Sequence, residues 1–268
     1  MPFLPKACRI CPSKGKVMKA IILSAGQGSR LGVLTHERPK CLIDFNGRTL
    51  LDRQLDTLDK NGIEEVTVVT GFRDDAIEES LARRTGGPRV KTIYNPFFKV
   101  ADNLGSLYVA RAALEGDTLV WNGDTLVSDA LMAAVIDNRK DGICVTIDRK
   151  PAYDDDDMKG VTGQDGLLHA IGKRLPMRTV NAESIGLLAF RGDGAERFRR
   201  AVEEAIRSKE GTTIWYLRVI HQLAQKQDIH TFDIQGHEWG EVDFPEDVDT
   251  ARELTARWDE GQQDVAAA

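Results

Sequence analysis

Cysteine is scarce, with only Cys8, Cys11, Cys41 and Cys144 in 268 residues. That excludes a small disulfide-stapled scaffold and points to a reducing, cytoplasmic setting. Cys8 and Cys11 form a C-x-x-C, but no second pair or His pair follows at zinc spacing, so they read as thiols of an N-terminal extension. No apolar run approaches the roughly 18 residues of a membrane span. Residues 1–17 lack the apolar stretch of a secretory signal. Net positive charge is also missing. The 36 basic and 42 acidic residues leave a formal charge of −6, which gives no footprint for non-specific nucleic-acid binding. There is no internal repeat and no long linker. With 41% apolar and 29% charged residues, disorder, collagen and coiled coil are excluded.

What is present is alternation. Ala20–Leu23 is a short apolar run ended by Ser24-Ala25-Gly26, and reads as a buried strand. Leu50, Leu51, Leu55 and Leu58 recur at helical spacing until Gly62. Strands are expected at 65–70, 90–94, 118–121 and 143–147, with helices at 74–82, 104–114 and 128–139 between them. That alternation predicts an α/β fold, a doubly wound and mostly parallel sheet. In the second half a hairpin at 159–172, a strand at 184–190, helices near 194–208 and 214–226, a strand at 229–234 and a closing helix at 245–258 suit a smaller antiparallel, substrate-side region. The domain organisation expected is an extension without fixed structure at 1–17, one domain at 18–258 and a frayed tail at 259–268.

The sharpest segment follows the first strand: Ser24-Ala25-Gly26-Gln27-Gly28-Ser29-Arg30. Gly26 and Gly28 let the backbone bend and approach a ligand. N–H groups exposed in such a turn make an anion-binding concavity. Arg30 adds a fork suited to phosphate oxygens, and Lys40 follows Pro39 ten residues on. Two cations framing a Gly turn suit a triphosphate. The segment is neither a P-loop, since G-x-x-x-x-G-K-[ST] is absent, nor the dinucleotide fingerprint, since Leu31 stands where its third Gly belongs.

Residues 18–31 together with Arg38-Pro39-Lys40-Cys41-Leu42 resemble the signature of the nucleotidyltransferases that activate phosphorylated small molecules, the MobA-like and sugar-phosphate nucleotidylyltransferase superfamily. The later motifs are most similar to the bacterial-type phosphocholine cytidylyltransferases. The resemblance runs from about residue 18 to 255. It implies that Ser24 to Arg30 and Lys40 bind the nucleotide, with Asn103, Gly105 and Ser106 lining it. It also implies that Asp124, after the fourth strand, and Asp243, before the closing helix, hold a metal. Magnesium suits one or two carboxylates plus phosphate oxygens. Glu241, two residues before Asp243, is a neighbour candidate on the same strand face.

On the acceptor side the candidates are Lys159, Lys173, Glu183 and Trp215. Lys173 is expected near the phosphates being joined, where the family places a lysine. Glu183 is expected to take a hydroxyl or a cationic amine. Tyr94, Trp121, Trp215 and Tyr216 are candidate walls for an ammonium head, each with core packing as the alternative. The acidic residues that follow the aromatic pair in the choline branch are absent here, where Leu217-Arg218 follow Trp215-Tyr216. The run Asp154–Asp157 reads as a solvated loop.

The expectation is therefore a magnesium-dependent nucleotidyltransferase, with Arg30, Lys40 and Lys173 as its catalytic cations. It would join a nucleoside monophosphate, CMP from CTP, to a phosphorylated or phosphonylated small molecule. The alternatives are a sugar-1-phosphate nucleotidylyltransferase using UTP, dTTP or GTP, and a non-catalytic nucleotide-binding domain. No nucleic-acid or membrane partner is expected.

Overall fold

The computed structural model describes residues 18–267, with side chains described to residue 261. The expectations for residues 1–17, Cys8 and Cys11 among them, lie outside the described residues. The strands are β1 (Lys19–Leu23), β2 (Asp44–Phe45), β3 (Arg48–Thr49), β4 (Glu65–Thr70), β5 (Arg89–Tyr94), β6 (Thr118–Asn122), β7 (Thr125–Val127), β8 (Gly142–Asp148), β9 (Lys159–Thr162), β10 (Leu168–Ile171), β11 (Ala182–Arg191), β12 (His230–Asp233) and β13 (Trp239–Glu241). The α-helices are α1 (Leu50–Lys60), α2 (Asp74–Arg83), α3 (Asn103–Val109), α4 (Asp129–Asp137), α5 (Gly194–Ala205), α6 (Tyr216–Ala224) and α7 (Pro245–Ala267).

Nine strands form one sheet in the order β10-β9-β11-β6-β1-β4-β5, with β8 on β11 and β12 on β8. β1 pairs in parallel with β4 and β6, β4 with β5, and β8 with β12. β11 is antiparallel to β6, β8 and β9. Only β10 and β11 therefore run against the common direction, and the mostly parallel sheet expected from the alternation is present.

Period-two side-chain alternation decides the layers. Ile21, Val69, Val120, Val145 and Leu188 face α3, α5 and α6, where Leu104, Leu107, Phe198, Tyr216 and Ile220 meet them. Ala20, Ile22, Val68, Leu119 and Trp121 face the other way, onto Leu51 and Leu55 of α1, Ile77 of α2 and Leu131 of α4. Thr49 caps α1 by accepting the Asp52 N–H at 3.0 Å, and Ser128 caps α4 by accepting the Leu131 N–H at 3.2 Å. A third, smaller core joins Leu31, Ile43, Phe45 and Leu50 to Leu126, Val242, Val248 and Ala251. It fastens the glycine-rich segment to α7.

α7 continues to Ala267, which corrects the expected end of the helix at 258. Part of the reason is long-range. The buried Arg53 guanidinium binds Asp259 with two hydrogen bonds of 3.1 and 2.8 Å, holding the helix against β2 and α1. Among the described residues, no helix is long and apolar enough to cross a membrane.

Candidate active site

In open α/β sheets the crevice beyond the carboxyl ends of the strands is the usual ligand site, and the sequence candidates converge there. A cleft of ≈ 330 Å³ is lined by Ser24, Gly26, Gly28, Ser29, Arg30, Lys40, Asn103 and Asp124, with Asp102, Trp215 and Asp243. Its floor is the turn after β1. Gly28 has φ +73°, and a Cβ there would lie 2.9 Å from Lys40 Cβ, so glycine serves both the left-handed backbone and the close passage of the Lys40 stem. Thr35 ties the following 3-10 segment back by donating from Oγ1 to the Gly28 carbonyl at 2.7 Å. Ala25 and Gln27 stand outside the lining. Ala25 is buried, and its carbonyl accepts the Phe72 N–H at 3.0 Å.

Two very short strands bring the acids together. β13 pairs antiparallel with β7, and the Val242 N–H donates to the Asp124 carbonyl at 3.0 Å. Gln54, buried in α1, donates to the carbonyls of Asn122 and Thr125 at 2.8 and 2.9 Å and fixes the turn that carries Asp124. Gly123 lets that turn touch the end of β1, since a Cβ there would lie 2.5 Å from both the Leu23 carbonyl and Ser24 Oγ. Asp247, in the first turn of α7, accepts the N–H groups of Asp243 and Phe244 at 2.8 and 2.7 Å and sets the Asp243 backbone, a capping-box arrangement.

The cations meet these acids. Lys40 Nζ lies 2.9 Å from Asp124 Oδ2 and 2.5 Å from Asp243 Oδ1. Burial works against the Lys40 ammonium, but Asp124 and Asp243 outweigh it and hold its pKa above the usual lysine value. Arg30 reaches Asp243 at 2.8 Å and Asp156 at 2.5 Å, with its guanidinium 4.9 Å from the Phe244 ring centre. Lys173 reaches the other oxygen of Asp156 at 2.6 Å and lies 5.3 Å from the Trp215 ring centre. Lys173 first, and then Arg30, hold Asp156 below the usual carboxylate range.

Among the described residues, oxygens of Asp124, Glu241 and Asp243 lie within 4.8 Å of one another. Crowding by the surrounding protein, and then the charges of Asp124 and Asp243, raise the Glu241 carboxyl above the usual range, although the residue keeps exposed surface. Three crowded carboxylates beside one shared ammonium form an all-oxygen donor set of the kind a hard divalent cation takes. The fit to magnesium is good.

A second cleft of ≈ 450 Å³ opens on the far side of Asp243 and Glu241, lined by Asp148, Lys150, Asp154, Asp156, Asp157, Glu183, Trp239, Phe244 and Asp247. Asp243 lines both clefts, and Lys173, in the lining of neither, joins Asp156 of the second to Trp215 of the first. The acceptor-side candidates stand in different places. Lys159 is buried, and its ammonium donates to the backbone carbonyls of Asp154 and Asp157, so it organises that loop from beneath instead of facing a ligand. Trp215 lines the glycine-rich cleft, not the second one. Glu183 does line the second cleft but is bound at 2.9 Å by Lys150, which also holds Asp157 at 2.8 Å. Burial pushes the Glu183 carboxyl up to about 7.

On the nucleotide side, Asn103 borders the cleft but spends its Oδ1 on the Tyr216 N–H at 2.9 Å. Ser106 is buried and accepts from Asn95 Nδ2 at 3.1 Å, while Gly105 is buried within α3 against Ala101. Neither is in the lining of the cleft. Trp121 and Tyr216 are core, with Tyr216 donating to Asn122 Oδ1 at 3.0 Å. The Asp154–Asp157 run is a solvated loop as expected, with Asp154, Asp155 and Asp156 exposed, and it is ordered from within: Asp154 Oδ1 accepts the N–H groups of Asp156 and Asp157 at 2.8 and 3.1 Å. Sequence reasoning misses Asp102, Lys150 and the pairing of Asp156. Their only signal is a basic residue and an acidic run beside the expected hairpin.

A family model described as MobA-like NTP transferase domain matches residues 20–205. The CMP-5'-(3-aminopropyl)phosphonate synthase of Streptomyces rubellomurinus is 33% identical over 115 residues, 43% of this chain and 18% of that protein. The bifunctional IPC transferase and DIPP synthase of Aquifex aeolicus is 26% identical over 243 residues, 90% of this chain and 52% of that protein. The chain thus spans about half or less of the length of these curated relatives. The solved structure of the inositol-1-phosphate CTP transferase from T. maritima superposes with a TM-score of 0.75 at 21% identity, covering 92% of this chain and 98% of that one, a likeness of fold. With the glycine-rich turn, Arg30, Lys40 and Asp124 inside the matched residues, the chain belongs to the MobA-like NTP transferase domain family.

Proposed function

We propose that the protein transfers CMP from CTP to a phosphorylated or phosphonylated small molecule and releases pyrophosphate. The observation that carries this reading is the convergence of Arg30 and Lys40 with Asp124 and Asp243 over the glycine-rich turn. The cytidine preference draws on the Streptomyces relative, a CMP-5'-(3-aminopropyl)phosphonate synthase.

In this reaction an acceptor oxygen forms a bond to the α-phosphorus as the bond from that phosphorus to the bridging oxygen breaks, and the electron pair leaves with pyrophosphate. No covalent protein intermediate is needed. Catalysis is positioning and charge neutralisation. Gly26, Gly28 and Ser29 cradle the triphosphate through their N–H groups. Arg30 and Lys40 exchange their carboxylate partners for phosphate oxygens. Lys173, between Asp156 and Trp215, meets the acceptor phosphate and lines it up with the α-phosphorus. Asp124 and Asp243, with Glu241 beside them, would hold a magnesium ion, which when bound supplies charge neutralisation at the phosphates. Asp102 and Trp215 close the far wall.

The test is product identification. With CTP, magnesium and a panel of phosphorylated and phosphonylated acceptors, mass spectrometry should find an adduct carrying one CMP. Finding only CMP or CDP, with every acceptor intact, would replace transfer by hydrolysis.

A further inference from the structure

Lys150, at the end of β8, stands in a setting that an ammonium ligand would otherwise use. Its Nζ lies 2.8 Å from Asp157 Oδ1, 2.9 Å from Glu183 Oε2 and 5.9 Å from the centre of the Tyr153 ring. Two carboxylates and an aromatic face are the components by which proteins bind cationic heads. Glu183 is only 4% exposed, so its carboxylate meets the cleft mainly through this lysine. Most other acids of the cleft have donors as well, and among the described residues Glu241, beside Asp124 and Asp243, shows none. Asp148 accepts from the Trp239 indole at 2.8 Å, and Asp247 from two backbone N–H groups.

We propose that Lys150 is a specificity-determining residue, an internal occupant of the cation position in the second cleft, and that it selects acceptors whose end away from the phosphate is uncharged and hydroxyl-bearing. This rests on the reaction proposed above, with the second cleft, which shares Asp243 with the nucleotide cleft, taking the acceptor. An ammonium-bearing acceptor would have to displace Lys150 from two carboxylates or lie against its like charge. A hydroxyl can accept the third proton of the Lys150 ammonium and donate to a spare carboxylate lone pair. Specificity of this kind works by repulsion as much as by attraction.

The test is calorimetric binding of phosphocholine and of inositol 1-phosphate, with magnesium present, to the parent protein, Lys150→Met and Lys150→Arg. The parent should bind inositol 1-phosphate at least about tenfold more tightly than phosphocholine, the scale of one charge-assisted contact. Lys150→Met keeps the stem, empties the cation position and should gain about tenfold for phosphocholine. Lys150→Arg keeps the charge and should keep the parental preference, and it serves if the Met variant does not fold. Equal affinity of the parent for the two probes overturns the assignment, as does an unchanged ratio in a folded Lys150→Met protein or failure of both probes to bind. If the preference holds but CTP yields no pyrophosphate, the proposed reaction is wrong and the assignment of Lys150 stands.

Discussion

Lys40 Nζ and Asp243 Oδ1 lie 2.5 Å apart, joining the segment after the glycine-rich turn to the start of the closing helix. Asp124 shares the same ammonium at 2.9 Å. The contact crosses nearly the whole length of the sequence, and it exists because β7 and β13 pair. Cation and acids therefore form one unit, and changing either side should be read mainly in function.

Asp124→Asn and Asp243→Asn keep shape and remove charge. Each should lower turnover by at least about a hundredfold, as loss of a preorganised electrostatic group does. Melting temperatures should stay within a few degrees of the parent, because each change leaves Lys40 one carboxylate. Steady-state rates at saturating magnesium check this, and a near-parental rate removes that acid from the metal site.

Arg30→Ala and Lys40→Ala each delete one charge-assisted contact to phosphate, a loss of about 1.5–3 kcal/mol, or roughly 10- to 150-fold in kcat/KM for the nucleotide. Arg30→Lys should recover only part of this, since a point charge does not reproduce the fork. Kinetics of the three variants beside circular dichroism separate lost function from lost fold.

Gly28→Ala tests the turn itself. The left-handed backbone costs a Cβ-bearing residue about 1–2 kcal/mol, and the new methyl would press on the Lys40 stem. The variant should melt a few degrees lower and show a raised KM for the nucleotide. Equal effects from Gly26→Ala, where a Cβ meets nothing within 4 Å, would show that crowding of Lys40 is not the cause.

Glu183 makes stability depend on pH with a definite sign. Burial raises its pKa from 4.5 to about 7, so the folded protein holds this proton more tightly than the unfolded chain. Its contribution is fully present below pH 4.5 and is lost as pH rises to about 7. Glu183→Gln cannot titrate. The melting temperature of the Gln variant minus that of the parent should therefore increase from pH 5 to pH 8. A flat or falling difference contradicts the raised pKa.

Much of the sheet was legible because buried strands are short apolar runs: β4 coincides with the expected 65–70, and β5, β6 and β8 differ at their ends by a residue. The glycine-rich turn and its cations were legible for the same local reason, since turn chemistry is written in adjacent residues. The parts not legible depend on distant partners. β7 and β13 have three residues each, too few for a period to register, yet they assemble the acids. Lys159 looks like a surface lysine because its partners are backbone carbonyls, which no side-chain pattern announces. Asp156 and Asp157 read as part of a solvated acidic run, and their ion pairs come from Arg30, Lys173 and Lys150 in three other segments. The continuation of α7 past 258 depends partly on Arg53, from the other end of the chain.

The most direct measurement is pyrophosphate release in a matrix of CTP, UTP, dTTP and GTP against phosphocholine, 2-aminoethylphosphonate, inositol 1-phosphate and glucose 1-phosphate. Magnesium is present throughout, and Asp124→Asn is run alongside. The account predicts acceptor-dependent pyrophosphate from CTP, at least about tenfold above any other nucleotide, and its loss in the variant. Release from UTP, dTTP or GTP at or above the CTP rate, or no acceptor-dependent release from any nucleotide, would contradict it.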